Sequence, residues 1–214
     1  PYYTEALAEY QQRNLADPCQ AYHYISAAPG TTVTLDGNAC PSGLDGLIYV
    51  ERGVNLVIKN SFTLRGTLVH EGLVRREAGM GQNDGKIALS SNASLTIDSQ
   101  AGFGKGMAMI SGAPLDFQRS TIDIKGFVMG GPNSRVDSSG TITGALLGVY
   151  ENWVPGSNQP GPELSPYNFV FYSIMLGTST VLFEPLTETP PGFPANSTVP
   201  AQSQPTALLL WSAD

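Results

Sequence analysis

The sequence predicts an all-β protein, a single-stranded β-solenoid (β-helix) of about six coils with an N-terminal helix and a C-terminal cap. Two observations carry that expectation. Short apolar segments begin with a glycine at Gly46, Gly66, Gly85, Gly106, Gly126 and Gly144, at spacings of 18 to 21 residues. The second residue after each glycine is apolar: Ile48, Leu68, Ile87, Ala108, Val128 and Leu146. Composition agrees, with 24 glycines and only 14% charged residues in 214, well under the usual quarter.

Each unit reads as strand, turn, strand. In "GLIYV" (46–50) one position faces in and the next faces out, the period of two that a half-buried strand requires. "VNLVIK" places Val54, Leu56 and Ile58 on one face, and "ASLTID" does the same with Ala93, Leu95 and Ile97. "STIDIKGFVMGG" (120–131) is a strand interrupted by a glycine. Ile122, Ile124 and Val128 are expected inside, and Asp123 and Lys125 outside. Glycine inside a strand weakens it by about 0.5–1 kcal/mol relative to alanine, so its recurrence at one phase points to a corner where a Cβ does not fit.

The ends differ from the middle. "YYTEALAEYQQRNL" sets Tyr3, Leu7 and Tyr10 on one helical stripe, closed by Asp17-Pro18. Residues 31–35 (TTVTL) read as a strand. Six prolines fall within residues 185–205, which favours extended chain. The expected organisation is an N-terminal helix and disulfide-linked cap (1–45), the repeat region (46–154), and a Pro-rich segment packed on it (155–214).

The two cysteines, Cys19 and Cys40, form no CxxC motif, and His23 and His70 lie far apart in the chain. A disulfide and an oxidising compartment are expected, not zinc. No run of 18 apolar residues occurs, so no transmembrane helix is expected.

The formal net charge is −7, unevenly spread. Residues 46–144 carry ten basic and eight acidic groups, a net +2, whereas the rest carries one basic and ten acidic, a net −9. Arg52, Arg65, Arg75, Arg76 and Lys86 are therefore the candidate binding residues for an anionic ligand. The sparse aromatics of this region speak against stacking on nucleic-acid bases. No nucleophile elbow, metalloprotease motif, phosphate loop or calcium loop is present. No catalytic residue, metal or cofactor is expected.

"GLIYVERGVNLVIKNSFTLRGTLVHEG", "ASLTID", "GMAMISGAPLDF", "STIDIKGFVMGG" and "GTITGALLG" together resemble the β-solenoid region of PilX-type and competence-associated minor pilins of type IV pili. The resemblance covers residues 46–150. It implies a non-enzymatic ectodomain in the bacterial cell envelope, structural or adhesive, with other pilin subunits as partners and DNA or a surface glycan as ligand. It also implies a hydrophobic membrane helix N-terminal to this sequence. The alternative readings are a DNA receptor in natural transformation, a small polysaccharide-acting β-helix enzyme, and a bactofilin-like polymer.

Overall fold

The computed structural model describes residues 1–74, 84–100, 102–131, 134–148, 174–176 and 179–183. Helix α1 (Tyr2–Gln11) comes first, then a 3-10 turn (Pro18–His23). The strands follow as β1 (Tyr24–Ile25), β2 (Thr32–Asp36), β3 (Leu44–Val50), β4 (Asn55–Lys59), β5 (Ser61–His70) and β6 (Lys86–Leu89). The remainder are β7 (Ser94–Asp98), β8 (Met107–Ser111), β9 (Leu115–Gly130), β10 (Arg135–Gly148), β11 (Ile174–Leu176) and β12 (Ser179–Phe183). The strand expected at 31–35 is β2, and it brings part of the expected N-terminal cap into the sheet. Apart from β11 and β12, the expected C-terminal segment 155–214 lies outside the described residues.

All twelve strands among the described residues belong to one sheet of parallel pairs, whose main path runs β1-β3-β5-β7-β9-β6-β4-β2. β8 joins β5 to β9, and β10 runs beside β9 and carries β11 and β12. The pairings β5–β7, β7–β9, β9–β8 and β8–β5 therefore close a four-stranded parallel barrel to which the other strands attach.

The expected β-solenoid of about six coils is not formed. Gly46 pairs with Gly66, and Gly126 with Gly144, but the chain from Gly66 to Gly106 breaks the series. Leu68 pairs with Met109, not with Ile87. Ile87 instead pairs with Leu56 on the β4 side, and Gly85 packs against Gly53 and Gly72. The physical reason is that similar glycine spacing does not fix which corner a glycine occupies. Gly85 has the right distance along the chain and the wrong place in space.

The core lies inside this closed sheet. Val54, Leu56, Ile58, Ala93, Leu95 and Ile97 are buried, as the alternation predicts. So are Ile122, Ile124 and Val128, while Asp123 and Lys125 stand exposed. Phe62 and Phe117 are the largest fully buried side chains.

Three positions expected to face outward, Leu47, Thr67 and Met107, are buried. Helix α1 explains the first. Ala6 packs with Leu47, Tyr49 and Val69 in a second small core, flanked by Tyr2, Tyr24 and Ile110. The loop before β8 lies against Thr67, whose Oγ1 is 3.3 Å from the Phe103 carbonyl. The Thr67 hydroxyl donates to the Met107 carbonyl at 2.6 Å, and Phe103 meets Tyr2 edge-on at 5.3 Å. The helix stops at Gln11, short of the expected Asp17.

Candidate functional site

The sheet run formed by the first half of β5, by β7, and by the middle of β9 and of β10 presents an open outer face. Inward on this run point Phe62, Leu64, Leu95, Ile97, Ile122, Ile124 and Ile142, all buried. The residues between them must therefore point out. Parallel in-register pairing stacks those outward residues into columns.

In the first column Ser61 pairs with Ser94, Ser94 with Thr121, and Thr121 with Ser139. The Thr121 and Ser139 hydroxyls lie 3.3 Å apart. In the second, Thr63 pairs with Thr96, Thr96 with Asp123, and Asp123 with Thr141. A third column is charged: Asp45 pairs with Arg65, and Asp98 with Lys125, which in turn pairs with Thr143. Columns are about 6.7 Å apart along a strand and their members about 4.8 Å apart between strands. None of the outward residues in these three columns is buried.

Among the described sequence-predicted binding residues, Arg65 stands on a different run of the sheet from Arg52 and Lys86. Arg65 lies on this face, where its Nε bonds Asp45 and its Nη2 donates to the Ser42 carbonyl at 3.1 Å. Arg52 is exposed in the turn after β3, and its backbone amide donates to Glu71 at 3.1 Å. Lys86 is on β6, opposite Asn55, in another run of the sheet. Arg75 and Arg76 lie outside the described residues. Cys19 and Cys40 form the expected disulfide, with their Cα atoms 5.4 Å apart.

Sequence reasoning missed the hydroxyl columns. Their signal is the alternation Ser61-x-Thr63, Ser94-x-Thr96 and Ser139-x-Thr141-x-Thr143. It is weak because serine and threonine are common on any solvated strand face.

The helix-covered run, beyond Gly46 in β3 and Gly66 in β5, is built differently. Tyr3 meets Tyr24 and Tyr49 edge-on at 5.7 and 5.6 Å. The Tyr49 hydroxyl donates to Glu71 at 2.5 Å, and that of Tyr24 to Glu51. The hydrogen bond to Glu51 leads the influences that push the Tyr24 phenol up; burial, then Glu71, does so for Tyr49. Both phenols thus stay protonated and donate to the carboxylates that follow β3 and β5, while their rings pack against Tyr3 of the helix.

The two histidines titrate in opposite directions. His70 is buried; its Nε2 donates to the Val54 carbonyl at 2.7 Å while Nδ1 accepts from the Gly72 amide at 3.1 Å. Burial lowers its pKa. It is a satisfied core residue. At His23, burial is the largest single influence and disfavours charge. The Glu9 carboxylate at 2.9 Å, the Leu47 carbonyl and Asp17 together outweigh it, and the pKa is raised. Glu9 also accepts the Leu47 amide at 2.7 Å, so this pair pins α1 to β3.

His23 adds stability that is fully present below the unfolded value of about 6.5 and is lost as pH rises through its higher folded value. His70 removes stability as pH falls below about 6.5, because the unfolded chain protonates first. Two-dimensional NMR of the imidazole resonances is expected to show one histidine titrating above 6.5 and one below. His23→Gln should abolish the upper transition; loss of the lower one instead would reverse the assignment.

No protein-family model, curated protein or solved structure matches the chain. Among the described residues no group of three or more His, Cys, Asp or Glu side chains is placed to hold a metal ion. None of the described helices is long and apolar enough to cross a membrane.

Proposed function

We propose that the chain is a non-enzymatic cell-surface module, structural or adhesive, that makes contact through the hydroxyl-bearing face of β5, β7, β9 and β10. The observation that carries this reading is the face itself: two in-register columns of outward side chains, hydroxyl-bearing except at Asp123, on a fully paired sheet. A scaffold whose strands are hydrogen-bonded on both sides holds such groups in fixed positions, so little ordering entropy opposes contact. The Cys19–Cys40 bridge fits a compartment outside the reducing cytosol. The type IV pilus setting and the pilin partners rest on the sequence resemblance alone. The DNA-receptor reading draws less support at this face, because Arg65 is neutralised by Asp45 while Arg52 and Lys86 lie off it.

The test is adhesion of protein-coated beads to bacterial cells. The double variant Thr96→Arg, Thr141→Arg places two long side chains in the middle of the face. It is expected to lower bead retention by about tenfold, equivalent to about 1.4 kcal/mol, at unchanged melting temperature. Thr34→Arg on β2, in a different run of the sheet, is expected to retain adhesion. Equal retention by the double variant and the unaltered protein would sink the reading.

A further inference from the structure

We infer that the partner of the hydroxyl face is an uncharged polysaccharide lying extended across the strands. This rests on the adhesive reading of that face and adds the chemical class of what it binds. Three properties of the face select the class.

The first is hydrogen-bond type. A serine or threonine hydroxyl both donates and accepts, as does every hydroxyl of a sugar. Thr63, Thr96 and Thr141 are half-buried and Ser61, Thr121 and Ser139 exposed, so the array offers both roles to whatever lies over it.

The second is charge. Each cation on the face has an acid beside it: Arg65 is bonded to Asp45, and Lys125 pairs in register with Asp98. Asp123 stands among the threonines. A polyanion would meet no uncompensated positive charge and would gain little from counterion release. An uncharged polyol suffers no such mismatch, and the same carboxylates and guanidinium accept from or donate to its hydroxyls.

The third is shape. Among the described residues the outward positions of this face carry no aromatic ring, so nothing here stacks on a single sugar. A hydrogen bond exposed to water adds only about 1 kcal/mol net. Affinity must then come from repetition, with one column position every 4.8 Å or so across the strands. A polymer engages many positions at once, and linked contacts reinforce one another. Single sugars should bind weakly, and affinity should climb with chain length.

The experiment is co-sedimentation of the full chain with insoluble cellulose and chitin, beside alginate gel and duplex DNA as polyanions. Retention is expected on at least one uncharged polymer and should change little between about 50 and 200 mM salt, where phosphate-driven binding falls steeply. Soluble oligomers of the retained polymer should compete better the longer they are, and the Thr96→Arg, Thr141→Arg variant should lose retention by about tenfold. Retention only on alginate or DNA, with steep salt dependence, would overturn the inference. So would inhibition of ice growth without polysaccharide retention, since ordered water would then be what the hydroxyl lattice matches. If bead adhesion depends on the face while no uncharged polymer is retained, the polysaccharide class fails and the adhesive reading survives. If bead adhesion ignores the face, the adhesive reading itself fails.

Discussion

Gly126→Ala is expected to destabilise the protein by about 2–4 kcal/mol, and Gly126→Val by more. The residue sits mid-strand in β9 with φ of +129°, a region where a Cβ is disfavoured. Space is the larger problem. A Cβ there would lie 2.0 Å from the Ser99 Oγ, 2.8 Å from the Gly106 carbonyl oxygen and 3.1 Å from the Ala108 nitrogen. Neither of the nearest neighbours yields cheaply. Ser99 is buried and its hydroxyl donates to the Lys125 carbonyl at 2.7 Å. The Gly106 carbonyl accepts the Phe127 amide at 2.7 Å. The substitution therefore opens the β8–β9 seam of the four-stranded barrel or breaks a buried hydrogen bond. Urea unfolding measures the change. Lys125→Ala, one residue earlier and exposed, is expected to change stability by less than about 0.5 kcal/mol. Comparable losses in the two variants would show that the close approach at Gly126 does not support the seam.

The same stretch shows what the sequence conveys and what it withholds. Alternation is local, so the inward Ile122, Ile124 and Val128 and the outward Asp123 and Lys125 are legible in "STIDIKGFVMGG" without knowledge of any partner strand. Strand pairing is not local. Gly85 shares its spacing with the other phase-marking glycines, yet it packs against Gly53 and Gly72, and β8 reaches back past it to pair with β5. Nothing in the spacing distinguishes these arrangements.

Outer faces are ambiguous for a related reason. Leu47 alternates like a solvent-facing residue and is buried because α1 lies over it. The candidate site was half legible. The Ser-x-Thr alternation is written in the strands, but only the register brings Ser61, Ser94, Thr121 and Ser139 into one column. Of the described basic residues that the sequence groups together, Arg65 and Lys86 sit on different runs, because alternation along a strand does not say which strands become neighbours.

Reduction of the Cys19–Cys40 bridge is expected to lower stability by about 3 kcal/mol, in the chain-entropy account of a loop this size, and to loosen the N-terminal strands before the rest of the sheet. Strand β2 lies within the loop that the bridge closes, and it ends the strand order, paired only with β4. One side of it is an edge, so its five residues depend on the loop being held. Cys19 is the second residue of the 3-10 turn, where the Asp17 side chain accepts its amide at 3.0 Å. The same turn ends at His23, which bonds the Leu47 carbonyl at 2.8 Å. Cutting the bridge thus frees β2 and weakens the seat of α1 together.

Strand β9 is placed oppositely, bonded to β6, β7 and β8 on one side and to β10 on the other. Hydrogen exchange after reduction should therefore accelerate at the amides of Thr32–Asp36 and leave those of Ile122 and Ile124 protected. The Cys19→Ala, Cys40→Ala double variant, which leaves no buried thiol, should reproduce the pattern without reductant. Uniform acceleration across β2 and β9 would mean that the bridge stabilises the sheet as one cooperative unit and does not act through its N-terminal edge.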